Sequence, residues 1–403
     1  MGKRGNESLK RLGRLERLGR LERLGDVCTI QSGGTPSRSK KEFWDGGTVP
    51  WVKISDFDGI YLDRTEEKIT EKGLAQSSAK LFTKGTILYS IFATLGEVCI
   101  LDIDAATNQA IAGITIKDED IDQKYLYYFL CSIKPKIMRI GRGVAQNNIN
   151  LSILRSLEIP IPSVEEQKKV AGVLDAATAL AAKRRRQLAL LDTLTQSRFV
   201  EMFGDVICNS KLWKVYSFED IASSRLGKML DSKQKTGKNS YPYLANFNVQ
   251  WFKFNLENLN EMDFDEADRI EFELKDGDLL VCEGGEIGRC AVWHDEIQPC
   301  FFQKALHRVR CNRQIIHPDY LAWWFKYNCD HDGFAAIAGA KATIAHLPGI
   351  KLKKLKVVVP PLELQEQFAE FVSEVDRQKA ALRRSLTALT TLKSALMQEY
   401  FSN

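Results

Sequence analysis

The chain contains an internal repeat, which constrains its architecture more than any other feature of the sequence. Residues 157–205 align without a gap onto residues 355–403, at a constant offset of 198. Identical pairs in this register include Leu157/Leu355, Pro162/Pro360, Glu165/Glu363, Gln167/Gln365, Arg185/Arg383, Arg186/Arg384, Leu188/Leu386, Leu191/Leu389, Leu194/Leu392 and Phe203/Phe401. So many identities in one register predict two half-molecules built on the same plan.

Each copy of the repeat predicts a short strand followed by a long helix. The apolar strand ends near a proline, and Glu and Gln then open the helix, where carboxylates favour the positive end of the helix dipole. About 40 helical residues would form a rod of roughly 60 Å, longer than a small domain is wide. Apolar residues then recur at steps of three and four along both copies: Val170, Leu174, Ala177, Ala181, Leu188, Leu191, Phe368, Val372, Val375, Leu382, Leu386, Leu389, Leu396 and Tyr400.

This spacing is typical of a coiled-coil seam. The seam is interrupted by Arg184 and Arg198 in the first copy, and by Lys379 and Lys393 in the second. Each helix alone would therefore form a poor homodimer. We expect the two copies to pair with each other as an antiparallel coiled coil; the alternative is two amphipathic helices packed on separate cores.

Fainter repeats precede the helices and complete the plan. Residues 49–58 correspond to 241–250, and residues 84–100 correspond to 276–292, both at an offset of 192. Apolar runs such as TILYSI and DLLVCE predict strands, and the segments that begin at Asp122 and Asp319 predict short amphipathic helices. The predicted fold class is α+β, with two similar globular domains in a pseudo-symmetric repeat separated by two long helices. The predicted boundaries are 1–25 for a basic N-terminal extension, disordered or artefactual, 26–153 for domain 1, 154–206 for spacer helix 1, 207–346 for domain 2 and 347–403 for spacer helix 2.

Composition narrows the class of protein. The 403 residues suit two domains, and a hydrophobic share of 44% with 27% charged residues is ordinary for a soluble protein. No apolar run reaches the roughly 18 residues that span a bilayer, and the N-terminus lacks a secretory pattern. We therefore expect a cytoplasmic protein without a membrane partner. Residues 1–25 carry the whole formal charge of +5, so any basic face must come from local clustering.

Catalytic and metal-binding motifs are nearly absent from the sequence. No phosphate-binding loop occurs, and the glycines of EGGEIG at 283–288 lack dinucleotide-binding spacing. Glu273 and Lys275, with Asp268 upstream, resemble a fragment of a nuclease carboxylate cluster, but the first half has no equivalent. The cysteines and histidines match no metal-ligand spacing. We predict no catalytic residue, no metal site and no cofactor in this chain.

Side chains suited to DNA recognition cluster at corresponding places in the two halves. Lys and Arg favour phosphate contacts, whereas amides and bidentate groups read base edges. The candidates are Arg38, Lys40, Lys41, Arg142, Gln146, Asn147, Asn148 and Asn150 in the first half, and Lys228, Lys233, Lys235, Lys238, Gln303, Lys304, Arg308, Lys341 and Thr343 in the second. Solvated loops would explain any one of them equally well, and the paired placement favours the functional interpretation.

The layout resembles the specificity subunits of type I restriction-modification enzymes, over nearly the full length after residue 25. The resemblance rests on the junctions IPIPSVEEQ and VVVPPLELQ, the SGGTPS loop, the turns LGEV and GEIG, and FVEMFGD at the end of the first helix. No single motif is very specific, but two copies in this order are.

The resemblance implies a non-catalytic subunit with two target-recognition domains, each reading one half of a split, asymmetric site in double-stranded DNA. It also implies that the helices dock two methyltransferase subunits, which bring S-adenosylmethionine, and that restriction/translocase subunits add ATP and Mg chemistry. Arg185, Arg186, Arg383 and Arg384 are the candidate partner-binding residues of the helices. A rival interpretation is a coiled-coil protein-assembly adaptor without DNA specificity, and a weaker one is a nuclease that uses Glu273 and Lys275.

Overall fold

The computed structural model describes residues 19–141, 148–229, 237, 239–334 and 346–401. The chain divides into two compact units. Unit 1 contains the chain up to Arg185 and returns from Arg383 onward, and unit 2 contains Arg186–Leu382. Both boundaries between the units lie inside the long helices, so each unit contains part of each long helix.

Within its described residues, unit 1 is an α+β structure with three sheets. Its strands are β1 (Arg20–Arg23), β2 (Cys28–Ser32), β3 (Val49–Val52), β4 (Tyr61–Leu62), β5 (Glu67–Ile69), β6 (Leu81–Phe82), β7 (Ile87–Ser90), β8 (Val98–Leu101), β9 (Ala105–Thr107), β10 (Ile111–Ile116) and β11 (Glu158–Ile161). Its helices are α1 (Leu24–Val27), α2 (Glu71–Ala75), α3 (Gln123–Ser132), α4 (Lys134–Gly141), α5 (Leu151–Arg155) and the first part of α6 (Val164–Phe203). The strand orders are β2-β10-β7-β8-β4, β5-β3-β9-β6 and β1-β11.

Unit 2 has a related arrangement, with one further two-stranded sheet among its described residues. Its strands are β12 (Lys214–Ser217), β13 (Ala222–Leu226), β14 (Ser240–Leu244), β15 (Val249–Gln250), β16 (Lys253–Phe254), β17 (Asn260–Asp263), β18 (Leu279–Cys282), β19 (Cys290–Val292), β20 (Phe301–Phe302), β21 (Leu306–Cys311) and β22 (Lys356–Val359). Its helices are α7 (Phe218–Ile221), α8 (Glu266–Phe272), α9 (Pro318–Asp330), α10 (Gly349–Lys353) and the first part of α11 (Leu362–Phe401). The strand orders are β13-β21-β18-β19, β17-β14-β20, β12-β22 and β15-β16.

The buried strands and helices follow from the apolar patterns in the sequence. Strands β7 and β18 are buried along their whole length, as a continuous apolar run bounded by glycine turns predicts. Helix α3 begins where the Asp122 carboxylate accepts a hydrogen bond from the amide of Tyr125, at 2.9 Å. Helix α9 begins at Pro318, after an N-cap at His317. The predicted α+β fold with paired halves is therefore confirmed.

The long helices run antiparallel within each unit. In unit 1, Phe401 at the end of α11 packs on Tyr125, with ring centroids 5.1 Å apart, in the same core as Leu174 near the start of α6. In unit 2, Phe203 at the end of α6 lies 5.3 Å from Phe368 near the start of α11. The last turn of α11 therefore packs in the core of unit 1, beside the first turns of α6. The last turn of α6 packs in the core of unit 2, beside the first turns of α11. Of the described helices, none is long and apolar enough to cross a membrane.

Polar residues that interrupt the seam make specific contacts. Lys379 is buried, and its ammonium lies 2.7 Å from the Asp192 carboxylate on the other helix. Lys393 lies over the Tyr128 ring at 5.5 Å, and burial lowers the pKa of its ammonium. Arg198 pairs with Glu201 at 2.9 Å. A homodimer of either helix would not reproduce the Lys379–Asp192 pair, so this contact favours pairing of the two different helices.

A buried glutamine connects each long helix to its unit. The Gln365 amide nitrogen donates to the carbonyls of Pro360 (2.7 Å) and Ile315 (3.1 Å), and its oxygen accepts from the amide of His317 at 2.8 Å. Gln167 makes the same three bonds in unit 1, with the carbonyls of Pro162 (2.9 Å) and Asp120 (2.7 Å) and the amide of Asp122 (2.8 Å). Both side chains are fully buried. The Gln167/Gln365 identity of the repeat therefore fixes how each helix leaves its strand.

The predicted boundary at residue 25 needs correction. Arg20–Arg23 forms β1, which pairs antiparallel with β11 in the register Arg20↔Ile161, and Leu24 is fully buried. Its counterpart in unit 2 is β12, which pairs with β22. Residues 20–25 therefore belong to unit 1. The six residues RLGRLE occur at 11–16 and again at 17–22, and residues 11–18 of this tandem lie outside the described residues.

Candidate nucleic-acid interface

Three segments of unit 1 meet at one end of its five-stranded sheet. The amide of Gly33, just after β2, donates to the carbonyl of Ile111 at 3.0 Å. The amide of Ile91, just after β7, donates to Ala110 at 2.8 Å, and Ile91 in turn accepts from the amide of Ile149 at 3.0 Å. We call this group of segments the loop junction. It joins the starts or ends of the loops in which the basic and amide side chains of the first half were predicted to lie.

Unit 2 builds the same loop junction with different side chains. Gly227 donates to the carbonyl of Leu306 at 3.0 Å, and Glu283 donates to Ala305 at 2.9 Å. Leu347 donates to the carbonyl of Glu283 at 2.7 Å. These are the same three backbone bonds, at equivalent positions in a diverged sequence. The backbone of the junction is thus shared by the two units, whereas the loops that leave it differ.

Glycine is required where the first loop leaves the sheet. A Cβ atom at Gly33 would collide with the backbone and hydroxyl of Thr107, and one at Gly227 would collide with the backbone of Gln303. No side chain fits at these positions. The SGGTPS motif, which the sequence indicates only as a loop, therefore contains a packing requirement of the junction.

Arg38, on the loop that follows Gly33, contacts both a carboxylate and an aromatic ring. Its guanidinium lies 2.5 Å from the Glu67 carboxylate and 3.6 Å from the centroid of the Trp44 ring. Arg38 also holds the pKa of Glu67 below its ordinary value, so this carboxylate remains charged. Lys40 and Lys41 follow on the same loop and are exposed. This loop can therefore present two exposed ammonium groups beside one guanidinium that is paired with a carboxylate.

Four other predicted residues lie at or beside the junction with internal contacts. The Lys228 ammonium pairs with the Asp268 carboxylate and donates to the carbonyl of Asp263 at 2.8 Å. Arg308 donates to the carbonyl of Glu271 at 2.6 Å. Asn150 caps α5, and half-buried Gln303 donates through its backbone amide to Leu244 at 3.0 Å.

The ammonium of Lys228 is used within the protein, whereas Arg308 and Asn150 each use one polar atom of the side chain there. These internal contacts favour a role of Lys228 in the scaffold of the loop junction, because a phosphate contact needs a polar group that is exposed. Arg308 and the exposed Asn150 stay predicted DNA contacts. Asn148 remains a candidate, since it is half-exposed and bridges to Phe92. Lys304 is exposed beside Gln303 and also remains a candidate.

The other predicted contacts lie outside the described residues. They are Arg142, Gln146, Asn147, Lys233, Lys235, Lys238, Lys341 and Thr343. All but Lys238 belong to three segments that adjoin described parts of the junction, at Asn148, Met229 and His346. Their assignment as DNA contacts stays a prediction.

The four helix arginines lie where the chain divides into units. Arg185, Arg186, Arg383 and Arg384 are all exposed, and the unit boundaries fall between the members of the first pair and directly before the second. Exposed guanidinium groups are suited to bidentate pairing with carboxylates. This placement is compatible with the predicted partner-binding role.

The nuclease-like fragment of the rival interpretation makes contacts through the side chain of Asp268 and through the backbone of Glu273 and Lys275. The Asp268 carboxylate pairs with Lys228, and the carbonyl of Glu273 accepts from Arg310 at 3.1 Å. The amide of Lys275 donates to Asp278 at 2.9 Å. Within the described ranges, no group of three or more His, Cys, Asp and Glu side chains could hold a metal ion.

Two related but non-identical loop junctions, one in each α+β unit, define a protein built from two variants of one structural plan. The chain belongs to the family described as "Type I restriction modification DNA specificity domain", whose pattern matches residues 21–190 and again 210–391. The two matches correspond to the two halves of the repeat.

Individual relatives agree with this membership. The MjaIX specificity subunit of Methanocaldococcus jannaschii is 33% identical over 202 residues, covering 48% of this chain and 46% of the relative. The EcoR124I/EcoR124II specificity subunit of Escherichia coli is 32% identical over 181 residues, which cover 44% of the relative. The chain therefore spans about half the length of these two relatives. The EcoprrI specificity subunit of Escherichia coli is 28% identical over 394 residues, covering 92% of this chain and 89% of the relative.

Solved structures show the same fold. A structure titled "Structural basis underlying complex assembly and conformational transition of the type I R-M system" has a TM-score of 0.61 at 17% identity, and covers 95% of this chain and 97% of the other. The S subunit of a type I restriction-modification system from M. genitalium has a TM-score of 0.58 at 16% identity, with 95% and 96% covered. At these identities the likeness supports the fold alone.

Proposed function

We propose that this chain is the DNA-specificity subunit of a type I restriction-modification complex. Each unit binds one half of a split, asymmetric site in double-stranded DNA through its loop junction. The observation that carries the proposal is the repeated junction, in which identical backbone bonds support different loops. A shared scaffold with diverged loops is what two readers of two different half-sites require, and family membership supports the same role.

The helices are the proposed docking surface for two methyltransferase subunits. Arg185, Arg186, Arg383 and Arg384 are exposed there and would pair with carboxylates of those subunits. In this proposal the chain itself performs no catalytic step. S-adenosylmethionine, ATP and Mg are bound by methyltransferase and restriction/translocase partners, and the complex acts in the cytoplasm.

Selection from random duplexes tests the proposal. The full chain, assembled with methyltransferase subunits, should enrich a bipartite sequence with a gap of fixed length. A protein-assembly adaptor would enrich no sequence, and that result would contradict the proposed function. Mapping of methylated adenines in the source organism should return the same bipartite site.

The two half-sites are expected to be exchangeable one at a time. Replacement of residues 26–153 by the corresponding segment of a relative with another target should change one half-site completely and leave the other unchanged, because each unit contains its own loop junction. Selection on random duplexes would measure both halves in one experiment. A simultaneous change in both half-sites would show that the units do not read DNA independently.

The exposed lysines of the Arg38 loop are expected to contribute affinity without specificity. Lys40→Ala with Lys41→Ala should weaken binding to every sequence, and should reduce the slope of log K against log salt by about 1 for each phosphate that is no longer neutralised. Binding titrations at several salt concentrations would measure this slope. Lys228→Ala is the matched control: removal of its ion pair should lower the stability of unit 2, with no preferential change in the salt slope.

A further inference from the structure

Each unit places one exposed phenylalanine at its loop junction. Phe92 in unit 1 is 46% exposed, and Phe247 in unit 2 is 55% exposed. Scattered exposed apolar residues are ordinary on protein surfaces. These two differ from scattered ones because both lie beside the backbone bonds that define the junctions.

Phe92 belongs directly to the junction of unit 1. It follows Ile91, whose amide and carbonyl make two of the junction bonds, and it forms an isolated β-bridge with Asn148. The next residue, Ala93, has a φ of 62°, a left-handed conformation that is unfavourable for a residue with a side chain. The turn therefore holds an apolar ring next to an amide that remains a candidate for base recognition.

Phe247 reaches the junction of unit 2 from another element. It lies in a short 3₁₀ helix, Asn246–Asn248, and the Asn246 side chain donates to the carbonyl of Gly284 at 3.1 Å. Gly284 is the counterpart of Phe92, because it lies 192 residues further along the chain and forms the corresponding β-bridge with His346. Conversely, the counterpart of Phe247 in unit 1 is Ser55. The two units thus supply one phenylalanine each, at positions that are not equivalent.

We propose that Phe92 and Phe247 each contact the C5-methyl group of a thymine in the half-site that their unit reads. This inference rests on the proposed function and adds a specificity-determining residue to each unit. The thymine methyl is the apolar feature of the major groove, and an aromatic side chain is a suitable partner for it. Because the two rings come from different elements, the thymines lie at different positions within the two half-sites.

Uracil substitution isolates the methyl contact, since uracil differs from thymine only by the absence of that methyl group. In duplexes that carry the selected site, thymines would be replaced by uracil one at a time. Wild-type complex should lose about fourfold in affinity at one thymine of each half-site, the effect of burying one apolar carbon group. Phe92→Ala should lose affinity for the thymine duplex by a similar factor, and should then be indifferent to uracil in the first half-site only. Phe247→Ala should behave in the same way for the second half-site.

Two further variants keep the test specific. Phe92→Leu retains an apolar contact, so it should retain sensitivity to uracil. Tyr61→Ala removes an aromatic side chain of similar exposure from β4. Tyr61 is 45% exposed, and its ring lies against Lys124. It should leave both the affinity and the uracil profile unchanged.

The outcomes separate this inference from the function on which it rests. If Phe92→Ala and wild type respond to uracil equally at every position, the methyl contact is wrong while DNA specificity stands. If Phe92→Ala weakens binding but no uracil affects wild type, the ring acts as a wedge between base steps and the methyl contact is again overturned. If no sequence is selected by the wild-type complex, the proposed function itself fails.

Discussion

Replacing Gln365 with alanine is expected to destabilise unit 2 by at least about 3 kcal/mol, because an unsatisfied buried polar group costs roughly 1–3 kcal/mol and three would lose their partner. The three groups are the carbonyls of Ile315 and Pro360 and the amide of His317. Gln365 is fully buried, so bulk solvent does not replace these bonds at no cost.

Unfolding of the two units should be followed separately, since a chain with two compact units need not unfold in one step. Amide hydrogen exchange reports on the opening of each unit separately. In Gln365→Ala, the amides around His317 should exchange faster, whereas those around Asp122 in unit 1 should not. Gln167→Ala should give the mirror-image result.

Two controls define the origin of the destabilisation. Gln365→Glu keeps an acceptor for the His317 amide but places a carboxylate oxygen against two carbonyls, so it should be at least as destabilising as alanine. Gln398→Ala removes an exposed glutamine of the same helix and should change stability by less than about 0.5 kcal/mol. Equal, small effects for Gln365→Ala and Gln398→Ala would show that the buried bonds contribute little.

The repeat made the duplicated fold predictable because each copy contains an apolar strand followed by a helix with apolar residues at steps of three and four. The fixed register places Phe203 and Phe401 at equivalent helix ends, and both pack on equivalent tyrosines, Tyr320 and Tyr125, with ring centroids 4.8 and 5.1 Å apart. The role of Gln365 was not predictable in the same way. A glutamine in the first turn of a helix is ordinarily exposed, and only the tertiary structure brings the segment with Ile315 and His317 against it.

The candidate interface was predictable as regions and less so as residues. The sequence places basic and amide side chains in corresponding loops, and the structure brings the described starts and ends of those loops to one junction in each unit. The charge of Lys228 suggests a phosphate contact, but its partner Asp268 lies 40 residues along the chain, and such a pairing leaves no local signal. The strand Arg20–Arg23 was not predictable for the same reason, since its partner begins at Glu158.

Lengthening both long helices equally is expected to lengthen the gap between the half-sites. Four residues inserted into α6 between Arg185 and Arg186, and four into α11 between Leu382 and Arg383, add about one helical turn, or roughly 6 Å, to each. Both insertions fall where the chain divides into units, so the contacts within each unit, including the Lys379–Asp192 pair, are retained. At about 3.4 Å per base pair, the gap should grow by one or two base pairs while both half-sites keep their sequences.

Methylation-site mapping of the double insertion variant, beside wild type, measures the gap and the half-sites together. Insertion into α6 alone is the matched comparison. It lengthens only one of the two helices, and a less uniform gap is expected. If the double insertion methylates the original site with its original gap, the helices do not set the spacing, and the separation of the half-sites must be determined by the methyltransferase partners instead.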